Sequence, residues 1–466
     1  MRRISHSSEE EHNESVKRYE AFIANAATSG YFDVEELEGI VDYYLHRGQT
    51  KNSSTALEFG LKLHPNSLSL RIKRAKIYLA TGETKKAYTL LESLGHQNDY
   101  ELILLKIDAL QKLGRKQESY ALCDTLLSND NGDIDQLSLE IAYIFLSDFD
   151  IESALKYLQI GEQFNPLNDE LLYELALCYE HQGDKVKAAD TYSRIIKIEP
   201  YSAEAWFNLA QMYFASNQLD DALHAFEYAR TINPFDALTC MQKGHAHFQK
   251  QEYQEALEEF FAYEEMTDHG GHTYLFIGEC YERLEKYAEA ITYYMKVLRQ
   301  DPNNFDALIG LTVCHLEQDL YHESMPYIKR AIELQNDDAD AWIYFAEALM
   351  GIEDSATALL AYLKSIDFNP NQPDTLMNIA AILMDQHEYE SALGYYQQAL
   401  ALDEYHELEN IHVFMAVAYH LVGNAEESQV SLAKAMEENL DAMTLFQAII
   451  RTESDTDIRK LSHNAT

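Results

Sequence analysis

Residues 203–236 read AEAWFNLAQMYFASNQLDDALHAFEYARTINPFD, and the order of large and small residues in this stretch decides the fold. Trp206, Leu209, Ala210 and Tyr213 fall at i, i+3, i+4 and i+7, the spacing of one face of an α-helix. After the polar turn Ser216-Asn217-Gln218, Ala222, Phe226 and Ala229 form a second such stripe. Pro234 follows it, where a residue without an N–H cannot continue a helix. The stretch predicts two antiparallel helices and a stop.

The same pattern extends in both directions. Pro166, Pro200 and Pro234 are spaced by 34 residues, and Pro302 and Pro370 keep that phase at 68-residue steps. Trp206 and Trp342 are 136 residues apart, four periods of 34. Each unit is numbered from the third residue after such a proline. Position 20 is then small throughout: Ser53, Ala87, Ser119, Ala154, Ala188, Ala222, Ala256, Ala290, Ser324, Ala358, Ala392 and Ser428. Position 24 is mostly large and apolar, as in Leu57, Leu158, Phe226, Tyr294 and Tyr396. Gly48, Gly82, Gly114, Gly183 and Gly423 stand at position 15, where a first helix would end in a left-handed residue. Short length adjustments near 94–99, 134 and 403–408 keep twelve units in register. One helix pair cannot bury its apolar face alone, so the units must stack.

This pattern resembles the tetratricopeptide repeat, W-x2-L-G-x2-Y…A-x3-F…P, with Ala210 in place of its glycine. The stretch Phe32-Asp33-Val34-Glu35-Glu36-Leu37 with Tyr43-Tyr44-Leu45 is similar to bacterial members. The resemblance implies an all-α fold, an α-solenoid that is a right-handed superhelix of antiparallel helix pairs. We expect a mobile tail at 1–12, a capping helix at 13–33, the solenoid at 34–442, a second capping helix at 443–455 and a mobile tail at 456–466. Pro326, inside a second helix, predicts a late start or a kink. The segment 267–272, with two glycines instead of proline, predicts a softer joint.

Composition narrows the function. The chain of 466 residues carries 78 Asp+Glu against 36 Lys+Arg, a net charge of −42, which disfavours nucleic acid and anionic membranes. It has no apolar run long enough to span a bilayer, and we read it as cytoplasmic. The five cysteines lack metal or disulfide spacing and read as small fillers of a reduced core. His247 and His315 stand where the family has tyrosine and read as packed rings. No nucleophile elbow, phosphate loop or zinc spacing occurs, and the repeats leave no room for a catalytic domain. We expect no enzyme activity, no metal and no cofactor.

In the family, positions 2, 5, 6, 9, 12 and 13 of the first helix face the concave side. Carried over, this gives a groove lined by Tyr173, Phe207, Asn208, Gln211, Phe214, Gln242, His245, Phe248, Phe276, Glu279, Tyr344 and Glu347. Aromatic rings offer adaptable contact area, amides can bond a peptide backbone, and carboxylates attract basic side chains. The leading expectation is a scaffold or adaptor holding protein partners by basic or apolar segments. Asn208 and Asn378 lack the Lys and Arg neighbours with which relatives clamp terminal carboxylates, so we expect no such ligand. Residues 62–116 carry eleven Lys+Arg and five Asp+Glu, and Arg71, Lys73, Arg74, Lys76 and Lys112 form a candidate anion patch. An anionic-ligand binder and a self-assembling structural protein are the alternatives, and a homo-oligomer is left open.

Overall fold

The computed structural model describes residues 6–24, 31–95, 99–129, 133–267, 271–403, 408, 410–439 and 441–451, with side chains from 14 onward. The chain is all-α. It divides into two compact units, Met1–Pro234 and Phe235–Thr466, and each is described by itself.

Among the described residues, twelve helix pairs run from Val34–His46 with Thr50–Leu63 to Ile411–Val422 with Ala425–Glu438. The pair from the opening stretch is Ala203–Ala215 and Leu219–Ile232. Seven of the twelve first helices start at a side-chain cap, a signal that the repeat pattern alone does not show. Ser67, Asp99, Asn168, Ser202, Asn304 and Asp338 each accept a hydrogen bond from the amide three residues on. At Asp33 the cap is reciprocal, with Glu36 reaching back to the Asp33 amide.

The turn between the helices is one conformation repeated. Position 15 has positive φ in all twelve units: in the five glycines and also in Phe149, Asn217, Gln251, Glu285, Asp319, Glu353 and His387. The next amide then bonds back to the carbonyl at position 11, as from Gln218 to Tyr213 at 2.9 Å and from Asp354 to Leu349 at 2.9 Å. This closes the first helix and reverses the chain.

Position 20 is the close approach within each pair. All twelve residues there are buried, eleven of them completely. Where the residue is serine, its hydroxyl can donate to the position 8 carbonyl of the first helix, as from Ser53 to Val41 at 3.1 Å and from Ser428 to Ala416 at 2.8 Å. A larger residue would push the helices apart. The large position 24 side chains fill the space beside it: Leu158, Tyr192, Phe226, Phe260 and Tyr294 are at most 1% exposed. Trp206 is only partly buried; its ring stacks on Tyr228 at 4.4 Å and its Nε1 donates to the Pro200 carbonyl at 3.0 Å. Trp342 repeats the bond, to Asn336 at 2.9 Å.

Several local expectations meet the structure here. The helix Tyr321–Leu334 begins in the common register and passes through Pro326, so the late start does not occur. None of the five cysteines forms a disulfide, and all are buried. His315 stacks on Tyr327 at 5.6 Å, and His247 bonds Glu252 at 2.7 Å. The first helix is His6–Ile23, beginning inside the stretch expected as a tail, and a helix over 442–451 follows the last pair. Residues 1–5, the core of the 267–272 joint, the adjusted stretches near 96–98 and 404–407, and the expected tail at 456–466 lie outside the described residues.

Candidate partner-binding groove

In the Met1–Pro234 unit, the residues expected to line the groove are all half-buried. Three of them are committed to the protein itself. The Tyr173 hydroxyl meets the Ser202 hydroxyl at 2.7 Å, and the Phe207 ring packs against Phe226 with centroids 5.7 Å apart. Phe214 packs against the core formed by Ala210, Ala222 and Phe226. The side chains of Asn208 and Gln211 make no hydrogen bond among the described residues, which leaves their amide groups open to a ligand.

The candidate anion patch is not assembled as a free positive surface. Lys73 lies 2.6 Å from Asp42 with only 11% of its side chain exposed. Lys76 pairs with Glu101, and Lys112 lies 2.8 Å from Asp108 one helical turn away. Arg71 donates to the Pro65 carbonyl at 3.0 Å. Arg71 and Arg74 share a shallow cavity with Glu58 and Lys62. The fold therefore neutralises the lysines that a linear reading groups together.

In the Phe235–Thr466 unit, the groove aromatics divide between packing and lining. His245 sits edge-on to Phe276 at 4.4 Å and to Phe260 at 5.3 Å, and burial pushes its pKa down. Phe276 stacks on Phe260 at 5.8 Å. These rings hold neighbouring units together. Gln242 is half-buried beside them. Phe248 packs edge-on to Tyr253 at 5.5 Å, yet with Tyr344 it also lines an open cleft of about 300 Å³.

The floor of that cleft is built around Tyr294, which is 1% exposed. Two glycines admit its ring. A Cβ at Gly278 would stand 2.7 Å from Tyr294 Cε1, and one at Gly310 would stand 2.3 Å from its Cζ. Between them the Tyr294 hydroxyl donates to Glu282 Oε2 at 2.6 Å, fixing that carboxylate at the cleft surface. Glu279, Asp306, Asp338 and Asp340 add four more carboxyl groups, with Arg283 as the one cation in the lining. Among the described residues, no cation comes within ion-pair distance of Glu279.

The electrostatics follow from this crowding. Burial first, then repulsion from Glu282 and Asp306, pushes the Glu279 pKa up to about 7, against the opposing pull of Arg283. Burial also raises Glu282, although the Tyr294 hydrogen bond and Arg283 oppose it. Glu347 is an exposed residue, yet desolvation of its carboxyl and then Glu317 hold its pKa up. Glu282 and Arg283 stand at groove positions 12 and 13 of their unit. Asp306, Ile309, Gly310 and Val313, at positions 2, 5, 6 and 9 of the next, are among the lining residues the sequence expectation left out. Extending the same position rule to 305–338 would have found them.

A family model described as tetratricopeptide repeat matches residues 129–404, more than half of the chain. The chain belongs to the tetratricopeptide repeat family. It is also similar to the peroxisomal targeting signal receptor of Saccharomyces cerevisiae, at 26% identity over 208 residues. That match covers 41% of this chain and 34% of the receptor, so the chain spans about a third of that relative's length. Among solved structures, it resembles a tetratricopeptide repeat protein from Parabacteroides merdae, with 18% identity, 54% of this chain, 100% of that one and a TM-score of 0.40. It also resembles a chain of the APC/C hetero-tetramer Cut9–Hcn1, with 14% identity, 88% of this chain, 98% of that one and a TM-score of 0.38. Membership of the family supports a role in protein–protein interaction. Among the described residues, no three or more His, Cys, Asp or Glu side chains group to hold a metal, and no helix is long and apolar enough to cross a membrane.

Proposed function

We propose that this chain is a non-catalytic adaptor that holds a protein partner against the first-helix faces of its repeats, by a segment that is basic or apolar. The observation that carries this reading is the cleft of the Phe235–Thr466 unit. It combines part-exposed rings of Phe248 and Tyr344 with five carboxylates and a single guanidinium. Such a surface attracts positive charge and offers contact area once a ligand is seated. The yeast receptor's name describes recognition of a targeting signal, a protein ligand, which agrees with this class of role. The paired lysines at 73, 76 and 112 give no support to anion binding as the main role.

The test compares full-length protein with Phe248→Ala and Tyr344→Ala as baits in an extract of the source cells. A surface control, Val186→Ala, changes an exposed residue outside the groove. The proposal expects a partner retained by wild type and control and weakened by both groove variants. A partner held equally by all four baits would refute it.

A further inference from the structure

We infer that the cleft lined by Phe248, Glu279, Glu282, Asp306 and Tyr344 seats one arginine side chain of the partner, its guanidinium between the carboxylates and its flat face against a ring. This rests on the adaptor reading and specifies the ligand group at one place. Three independent features point to that occupant. The first is charge complementarity: five carboxyl groups and one guanidinium line the cleft, leaving it short of positive charge. Arg283 does not meet that demand, since it is exposed and makes no ion pair with Glu279 among the described residues. The second is preorganisation. The Tyr294 hydroxyl holds Glu282 by Oε2, which leaves Oε1 as acceptor for an incoming N–H.

The third feature is shape. Aromatic residues from three of four consecutive first helices, Phe248, Phe305 and Tyr344, border the carboxylates. A guanidinium is planar, weakly hydrated and able to bridge two carboxylates while stacking on a ring. An ammonium is compact and strongly hydrated, and gains less from such walls. At about 300 Å³ the cleft is small for a whole ligand but sufficient for one long side chain of an extended peptide. The rest of the peptide would lie along the neighbouring first helices.

The test uses nonapeptide libraries with the central residue fixed as arginine, lysine or citrulline and the flanks randomised. Citrulline keeps the shape of arginine without its charge. Full-length wild type and Glu279→Gln are compared, with circular dichroism confirming that both fold. We expect wild type to capture arginine-centred peptides about tenfold over citrulline-centred ones, and Glu279→Gln to lose most of that ratio. Arginine and citrulline captured alike would overturn the inference while leaving the groove reading intact. So would a preference for lysine, or an arginine preference untouched by Glu279→Gln. No capture from any library would overturn the groove reading and the inference together.

Discussion

Glu279→Gln should make the Phe235–Thr466 unit more stable at alkaline pH and change little at acid pH. Glu279 has its pKa raised from 4.5 to about 7 by burial and by Glu282 and Asp306. The folded state therefore holds the proton more tightly than the unfolded chain does. Below pH 4.5 both states are protonated and the group is neutral to stability. As pH rises towards 7, the unfolded chain ionises first, and folding stability is lost until the folded group ionises as well. The two values differ by 2.5 units, a ceiling of about 3 kcal/mol. Glu279 is half-buried rather than sealed, and solvent and salt screening reduce this to about 1–2 kcal/mol. Glutamine keeps the shape and removes the charge, so the variant should lack that loss. The assay is urea unfolding at pH 5 and pH 8, followed by the fluorescence of Trp342 in a Trp206→Phe background. The other carboxylates titrate in both proteins, so the difference between their pH responses isolates Glu279. If wild type and Glu279→Gln lose the same stability between the two pH values, the claim that Glu279 is desolvated and unpaired is wrong.

Gly310→Ala should destabilise the same unit by about 1–3 kcal/mol, the usual cost of overpacking, because its Cβ would fall 2.3 Å from Tyr294 Cζ. Urea midpoints would show it, and a destabilisation below about 0.5 kcal/mol would mean that the tyrosine does not need the glycine. Glu353→Gly should stabilise by roughly 0.5–1 kcal/mol, because Glu353 sits at φ 65° at the turn position where other units have glycine. A fall in thermal midpoint would show instead that the glutamate side chain makes a compensating contact.

The fold was readable because its constraints recur at one spacing. A small residue at position 20 is required wherever two helices meet backbone to side chain, so twelve positions carry the same message. The turn at position 15 is legible only in part. Glycine announces the left-handed residue at Gly183, but Phe149 and Glu353 adopt the same conformation with no signal in their side chains. There the surrounding helix pair imposes the geometry. The binding surface was harder still, because pairing between charges depends on units about 34 residues apart. Lys73 finds Asp42 across 31 residues, and this removes it from a patch that its neighbours in sequence suggested. Glu279 and Asp306 come together from successive units with no lysine opposite them. No composition count distinguishes those two outcomes.

The cleft differs from the rest of the groove in what it costs the protein. His245 and Phe276 add stability by packing on each other and on Phe260, so their presence needs no ligand to explain it. Glu279 is the opposite case. It is desolvated, repelled by two carboxylates and within ion-pair distance of no cation among the described residues, so it weakens the fold at neutral pH. A glutamine would fit the same space without that penalty. Residues that destabilise the free protein in a preformed cleft are candidates for groups that act when something binds. An arginine arriving from a partner would supply the missing charge and lower the Glu279 pKa, returning on binding the stability withheld in the free state. The stability gain and the binding loss expected of Glu279→Gln are thus two measurements of one electrostatic deficit. If the variant were stabilised but still preferred arginine over citrulline, the deficit would be real and its assignment to ligand binding would be wrong.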